Sequence, residues 1–283
     1  MAGLGPRMGH LCNIPDSHWR SLQKEHTALG NPTHFINPEN AGKTLSDVSS
    51  DYKKVVKDAE MASKVGSIWW RTKQFFGRAV KSGKEATKAA PPKNVIEEQD
   101  ETLSYNKAIY EMIVEMGVMG HFVGDVSMPY HNRVDYDGRA SGHGGIHSFY
   151  EEICMNTFGP ELTLLVVQSA TELKDAVLFD SSGDVIRRMR AMSEKAAPEA
   201  LQIESLDQVL VPSSSERRNA LRKSPSEACP VFQSIILVQA GRSARLLASF
   251  WDEIYKKAGR PKLESYKSYR YPFKPDFVAP DYF

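Results

Sequence analysis

The chain is predicted to be an all-α domain, and three observations point there. Apolar residues recur at helical spacing along most of its length, few stretches alternate with period two, and the ionisable side chains of its most unusual segment fall in pairs four residues apart. The 283 residues are 41% hydrophobic and 25% charged, enough apolar material for one good-sized core, so a single domain over 1–283 is expected, with strands at most as small hairpins. No run of 18 apolar residues occurs, and no membrane-spanning helix is expected.

In chain order, the first long helix predicted falls between Met61 and Pro92. It is basic and carries Trp69, Trp70, Phe75 and Phe76. Such a strip suits a membrane interface or single-stranded nucleic acid. A helix of this composition is expected to pack its aromatic face on the core and leave the lysines in water. Tyr105, Ala108, Ile109, Met112, Ile113, Met116 and Met119 then mark one apolar face of a second helix that runs directly into His121 and Asp125. Helical periodicity resumes through Ile153 and Phe158, Leu162 to Val167 and Ala176 to Leu178. A late helix is expected over Ile235 to Tyr255, with Ile236, Ala240, Leu247 and Trp251 as core. Residues 135–145, DYDGRASGHGG, form a Gly-rich loop beside the ligand residues. Residues 206–230 are rich in Ser, Pro and charge and are expected to be a surface excursion, and the aromatic tail 256–283 is expected to wrap the body. Cys12, Cys154 and Cys229 outline no disulfide framework and no CxxC zinc site; one pair is possible, and spacing does not say which.

The chemistry is concentrated between His121 and Glu151, where His121, Asp125, His131, His147 and Glu151 follow one another. Two of the pairs, His121 with Asp125 and His147 with Glu151, have the i, i+4 spacing that lets one nitrogen and one oxygen face the same ion. Taken singly, such pairs are common helix stabilisers. Here they cluster: none of the eight histidines follows His147. Neutral imidazole with carboxylate is a donor set that zinc prefers, and three or four such groups leave a position for water. No HExxH is present, which speaks against a metalloprotease helix. A net charge of +1 gives no strongly basic nucleic-acid footprint, so a polyanion would have to be caught locally.

These ligand types in this order, with GDVSMPYH and HSFYEE, resemble the metal-binding core of the zinc-dependent phospholipases C and the single-strand-specific zinc nucleases. THFINPEN is similar to the superfamily segment that supplies an early histidine, here His34, and NIPDSHWR to the one that supplies an early aspartate, here Asp16. The resemblance implies that Asp16, His34, His121 and Asp125 hold one zinc and that His131, His147 and Glu151 hold a second. Asp125 would bridge towards a third. It also implies metal-activated water attacking a phosphodiester, with Asp16 placed to orient that water or accept its proton.

Within this resemblance Phe35 would stack on a nucleobase and Asn37 would read its edge, which makes single-stranded DNA or RNA the expected substrate. Glu151 and the short loop from His131 to His147 lean towards a phospholipid, so a phospholipase C is the alternative. An inactive zinc-binding protein is a third reading. The departure from the pattern lies at the start, MAGLGPRMGHLCNIPD, where the family has an N-terminal Trp and a nearby His that bind the third zinc. No Trp precedes Trp19, and His10 stands only six positions ahead of Asp16. The family is mostly exported, whereas the opening residues lack the apolar core of a signal peptide. An N-terminally truncated chain is therefore expected, with zinc sites numbering two or three.

Overall fold

The computed structural model describes residues 5–180, 183–263 and 273–283. They are mostly helical. In chain order the helices are α1 (Gly5–Asn13), α2 (Lys24–Gly30), α3 (Ala59–Val65), α4 (Ile68–Lys88), α5 (Val95–Glu98) and α6 (Ser104–Ser127). There follow α7 (Ile146–Ser148), α8 (Leu162–Glu172), α9 (Ala176–Phe179), α10 (Val185–Leu206), α11 (Pro225–Ala228) and α12 (Gln233–Lys257). The strands β1 (Val209–Val211) and β2 (Leu221–Arg222) pair antiparallel, with a register irregularity at β1. Among the described residues no helix is long and apolar enough to cross a membrane. The chain divides into two compact units, one drawn from Met1–Thr33, Ile68–Val123 and Leu247–Phe283, the other from His34–Ser67 and Gly124–Leu246.

In the first unit α4 settles the aromatic strip. Trp69, Trp70, Phe75 and Phe76 are all buried. Burying each such ring is worth about 1.5–3 kcal/mol, so turning four of them out to a membrane or a nucleic acid would cost on the order of 6–12 kcal/mol. The core helix α6 is apolar on nearly every side between Tyr105 and Val123, as a helix enclosed by its neighbours must be. The centre of this unit is nevertheless a cation. Arg71 is fully buried, with its guanidinium 4.7 Å from the Phe75 ring centre and 5.5 to 5.7 Å from those of Phe122, Trp19 and Phe277. It donates to Gln74 Oε1 and to the Val278 carbonyl, each at 2.6 Å. Desolvation lowers its pKa to about 10, so it stays charged and is held by ring faces and carbonyls. Gln74 donates to the Ala279 carbonyl and Trp19 to that of Pro275, at 2.8 and 2.9 Å. The aromatic tail thus packs onto this unit over 273–283, as expected; residues 264–272 lie outside the described residues.

The second unit has a core of Tyr130, Ile146, Phe149, Tyr150, Ile203, Phe232 and Ile236. Cys154 pairs with Cys229 in a disulfide. Cys12 remains a thiol, which burial pushes up to about 11, out of the reactive range. The face of α12 differs from the one expected. Ile236 is buried, but Ala240, Leu247 and Trp251 are only half-buried, and the buried line runs through Ile235, Gln239, Arg242, Leu246, Phe250 and Ile254. Polar residues hold places on that line because they answer one another. Gln239 Nε2 donates to Glu199 at 2.7 Å, Gln239 Oε1 accepts from the Tyr150 hydroxyl at 2.8 Å, and Arg242 pairs with Glu199. A hydrophobicity count cannot see such positions. The excursion 206–230 also differs: it is a short ribbon whose tip is exposed and whose ends, at Asp207 and Cys229, are buried.

Gly66 provides a local test. It follows α3 with φ 79° and ψ 178°, a conformation open in practice only to glycine, and it bridges to Ile36. A Cβ there would stand 2.2 Å from the Phe35 carbonyl oxygen and 2.6 Å from a Phe35 ring carbon. Gly66→Ala is expected to cost about 2 kcal/mol or more. Urea unfolding of the two chains checks this, and an unchanged midpoint would refute it.

Candidate metal centre

The geometry begins where α6 stops. Pro129 cannot continue the helix, and the chain turns through a 3-10 segment, Pro129–Asn132. Asn132 Nδ2 donates to the Val126 and Met128 carbonyls at 3.0 and 2.9 Å, satisfying groups that the helix end leaves open. This fixes His131. The His34 segment is stitched to it by two bonds: Ile36 N donates to the His131 carbonyl at 2.9 Å, and His131 Nδ1 donates to the His34 carbonyl at 2.7 Å. His34 and Asp125 are both buried, with Nδ1 and Oδ2 2.9 Å apart.

His147 lies on α7, whose backbone passes at once into a π-helix, Phe149–Cys154, that carries Glu151. The regular α geometry expected for this pair is absent, yet the contact survives, with His147 Nε2 2.8 Å from Glu151 Oε2. Widened turns of this kind recur at functional sites. His147 Nδ1 lies 2.9 Å from the Tyr136 carbonyl. A carbonyl can only accept, so Nδ1 carries the hydrogen in both His131 and His147, and Nε2 is the atom each ring directs at Glu151. His131 Nε2 stands 3.7 Å from the same Oε2, an ion-pair distance rather than a hydrogen bond. One donor atom from each of the three side chains falls within 4.8 Å of the others.

The electrostatics couple Glu151 to the imidazoles. Desolvation alone would raise Glu151, but the two imidazoles outweigh it and bring the carboxyl down to about 2. Desolvation would likewise lower His131; the charge of Asp125 and the carboxylate of Glu151 reverse this and lift it to about 9. Zinc bonds of about 2.0–2.2 Å place tetrahedral donors roughly 3.4 Å apart. The two contacts to Glu151, 2.8 and 3.7 Å, lie on either side of that value, so these three side chains could hold an ion.

In the first unit, His121 Nε2 and Asp16 Oδ1 are 3.8 Å apart, and Asp16 also pairs with Arg20 at 2.8 Å. Asp16 is 40% exposed. His121 and Asp125 are one turn apart on α6 and share a face. His10 Nε2 lies 2.6 Å from the Phe273 carbonyl, a structural bond to the tail. Phe35 is half-buried, and Asn37 is buried with its Oδ1 lacking a hydrogen-bond partner. His143 Nδ1 donates to Asp207 at 2.8 Å. Sequence reasoning missed Tyr136, whose exposed ring lies 5.0 Å from that of His147. Its place in an Asp-Tyr-Asp-Gly turn was the available signal. A cavity of about 600 Å³ in the first unit, lined by Phe75, Tyr110, Glu115 and Phe277 among others, carries none of the predicted ligands.

Comparison with family models, with curated proteins and with solved structures finds no match.

The shifted pair has a measurable consequence in the chelator-treated chain. A histidine raised to about 9 from 6.5 adds stability that is complete below pH 6.5 and lost by pH 9; a glutamate lowered to about 2 from 4.5 adds stability that is complete above pH 4.5 and lost as pH falls towards 2. The unfolding temperature is therefore expected to decline between pH 6.5 and 9, and less so in His131→Gln. Equal slopes for the two chains would exclude the pairing.

Proposed function

We propose that this chain is a zinc-dependent phosphodiesterase of the nuclease-like kind, cleaving single-stranded DNA or RNA. The observation that carries the reading is the orientation of His131 and His147, whose Nδ1 hydrogens are committed to backbone carbonyls while both Nε2 atoms converge on Glu151. Metal-bound imidazoles characteristically donate their other N–H to a carbonyl or carboxylate, which fixes tautomer and ring direction. His131, His147 and Glu151 would hold one zinc. His34 with Asp125, in contact in the second unit, and Asp16 with His121, facing each other in the first, would supply the remaining zinc donors. Asp125 would also lean towards a third ion.

Zinc in such a cluster supplies a water acidic enough to attack at neutral pH and cancels charge on a phosphodiester. The protein's part is orientation and proton handling. Asp16, exposed to solvent, would accept a proton from an incoming water, and buried Asp125 would be held by its contact with His34. Phe35, half-buried, would offer a ring face for a base, and Asn37, whose partnerless Oδ1 is buried, would have to turn outward to read a base edge. The Glu151 donor and the short loop from His131 favour phospholipase C as the second reading.

Two outcomes are expected. The purified chain should retain at least two zinc ions by elemental analysis, and less than one per chain would sink the reading. Asp125→Asn should lower phosphodiesterase turnover more than about 100-fold, because weakening a direct ligand costs more than the roughly 10- to 100-fold of losing an outer-shell partner. Incubation of the zinc-loaded chain with single-stranded DNA, RNA and phosphatidylcholine separates the substrates: nucleotide release supports the nuclease, phosphocholine release the phospholipase, and silence on all three a binding protein.

A further inference from the structure

The ribbon β1–β2 is tied to the ligand-bearing segment by a buried ion pair. Asp207 and Arg222 meet in a fork, Nε to Oδ1 at 2.8 Å and Nη2 to Oδ2 at 2.7 Å, with side chains 0% and 6% exposed. The remaining hydrogens of the guanidinium point at the loop before α7: Nη2 donates to the His143 carbonyl at 2.6 Å and Nη1 to that of Gly144 at 3.1 Å. His143 donates to the same carboxylate. Ribbon and loop are further laced by Ser213 N to the Gly142 carbonyl, Ala220 N to the Gly144 carbonyl, and Gly144 N to Ser213 Oγ, at 2.8 to 3.0 Å. The next residue, Gly145, has φ 81° and starts α7 two positions ahead of His147. The guanidinium also lies 5.1 Å from the ring of Phe149, midway between His147 and Glu151.

A buried ion pair of this kind adds little net stability over apolar residues of the same volume. What its planar fork adds is direction. We propose that Asp207 and Arg222 are positioning residues for His147 and Glu151, acting by fixing the His143 and Gly144 carbonyls from which α7 springs. The ribbon is thus a brace for one half of the candidate metal centre. Only the consequence for zinc rests on the function proposed above; the positioning itself does not.

The test uses the full chain and two variants, Arg222→Ala and Asp207→Asn. In chelator-treated protein, the ring resonances of His147 are expected to move in both variants while those of His10 stay, with helical circular dichroism retained. In competition with a chelator, zinc affinity should fall about 10- to 100-fold, the range found for outer-shell partners. Arg222→Lys should fall between, since an ammonium can meet Asp207 but cannot also span two carbonyls. Unmoved His147 resonances in both variants, or unchanged zinc affinity where the unaltered chain binds zinc, would overturn the proposal. If His147 moves but the unaltered chain takes up no zinc, the metal reading fails and the positioning role stands. Should Arg222→Ala not fold, Asp207→Asn keeps the side chain's size and carries the same readouts.

Discussion

Two backbone carbonyls, those of His34 and Tyr136, decide what His131 and His147 can do. Because each accepts from an Nδ1, each ring is left to present Nε2, and the two Nε2 atoms meet over Glu151. The carbonyls are themselves placed by distant pairings. The His34 segment is held by the Ile36–Gly66 bridge and by Asn37 N donating to the Val65 carbonyl. Tyr136 sits in a turn closed by its own N–H to the Val134 carbonyl and by Asp135 accepting from Arg139 and Ala140. Loops of this kind are mobile unless tied, and here the ties converge on the rings whose direction matters. Asp125 and Glu151 raise His131, and the two imidazoles lower Glu151, so His131 keeps its second proton at neutral pH. An ion binding there would have to displace that proton.

Much of this was legible. The helix leading into His121 and Asp125 follows from its apolar periodicity, and the His147–Glu151 contact from its spacing. What spacing could not convey is that Glu151 stands on a π-helix, since nothing in HSFYEE separates a wide turn from a regular one. Nor could it choose Cys154–Cys229 among the possible pairings, because the two lie 75 positions apart and the chain between them had first to fold. The misplaced face of α12 has a different cause. Gln239 and Arg242 read as solvent residues, and only the presence of Glu199 on α10 and Tyr150 beside the ligand segment makes them core. Arg71 is the same case in the other unit: a charge inside four aromatic rings is invisible to any scale that assigns it a cost for burial without its partners.

Buried charge is also what ties the Ser- and Pro-rich stretch to the chemistry. From composition that stretch reads as a surface excursion, and its tip is one. Its ends are not. Asp207 and Arg222 grip the chain just before α7, and Cys229 grips Cys154 where the π-helix ends, so the segment carrying His147 and Glu151 is held at both ends by one continuous stretch of sequence. A metal centre assembled from side chains far apart in sequence needs such bracing, because a ligand set loose by even one ångström loses its preference for the ion. Apolar contact could cover the segment but would leave it free to slide. A disulfide at one end and a forked ion pair on two carbonyls at the other remove that freedom, which is the physical reason to place residues 207–229 with the candidate centre rather than outside it.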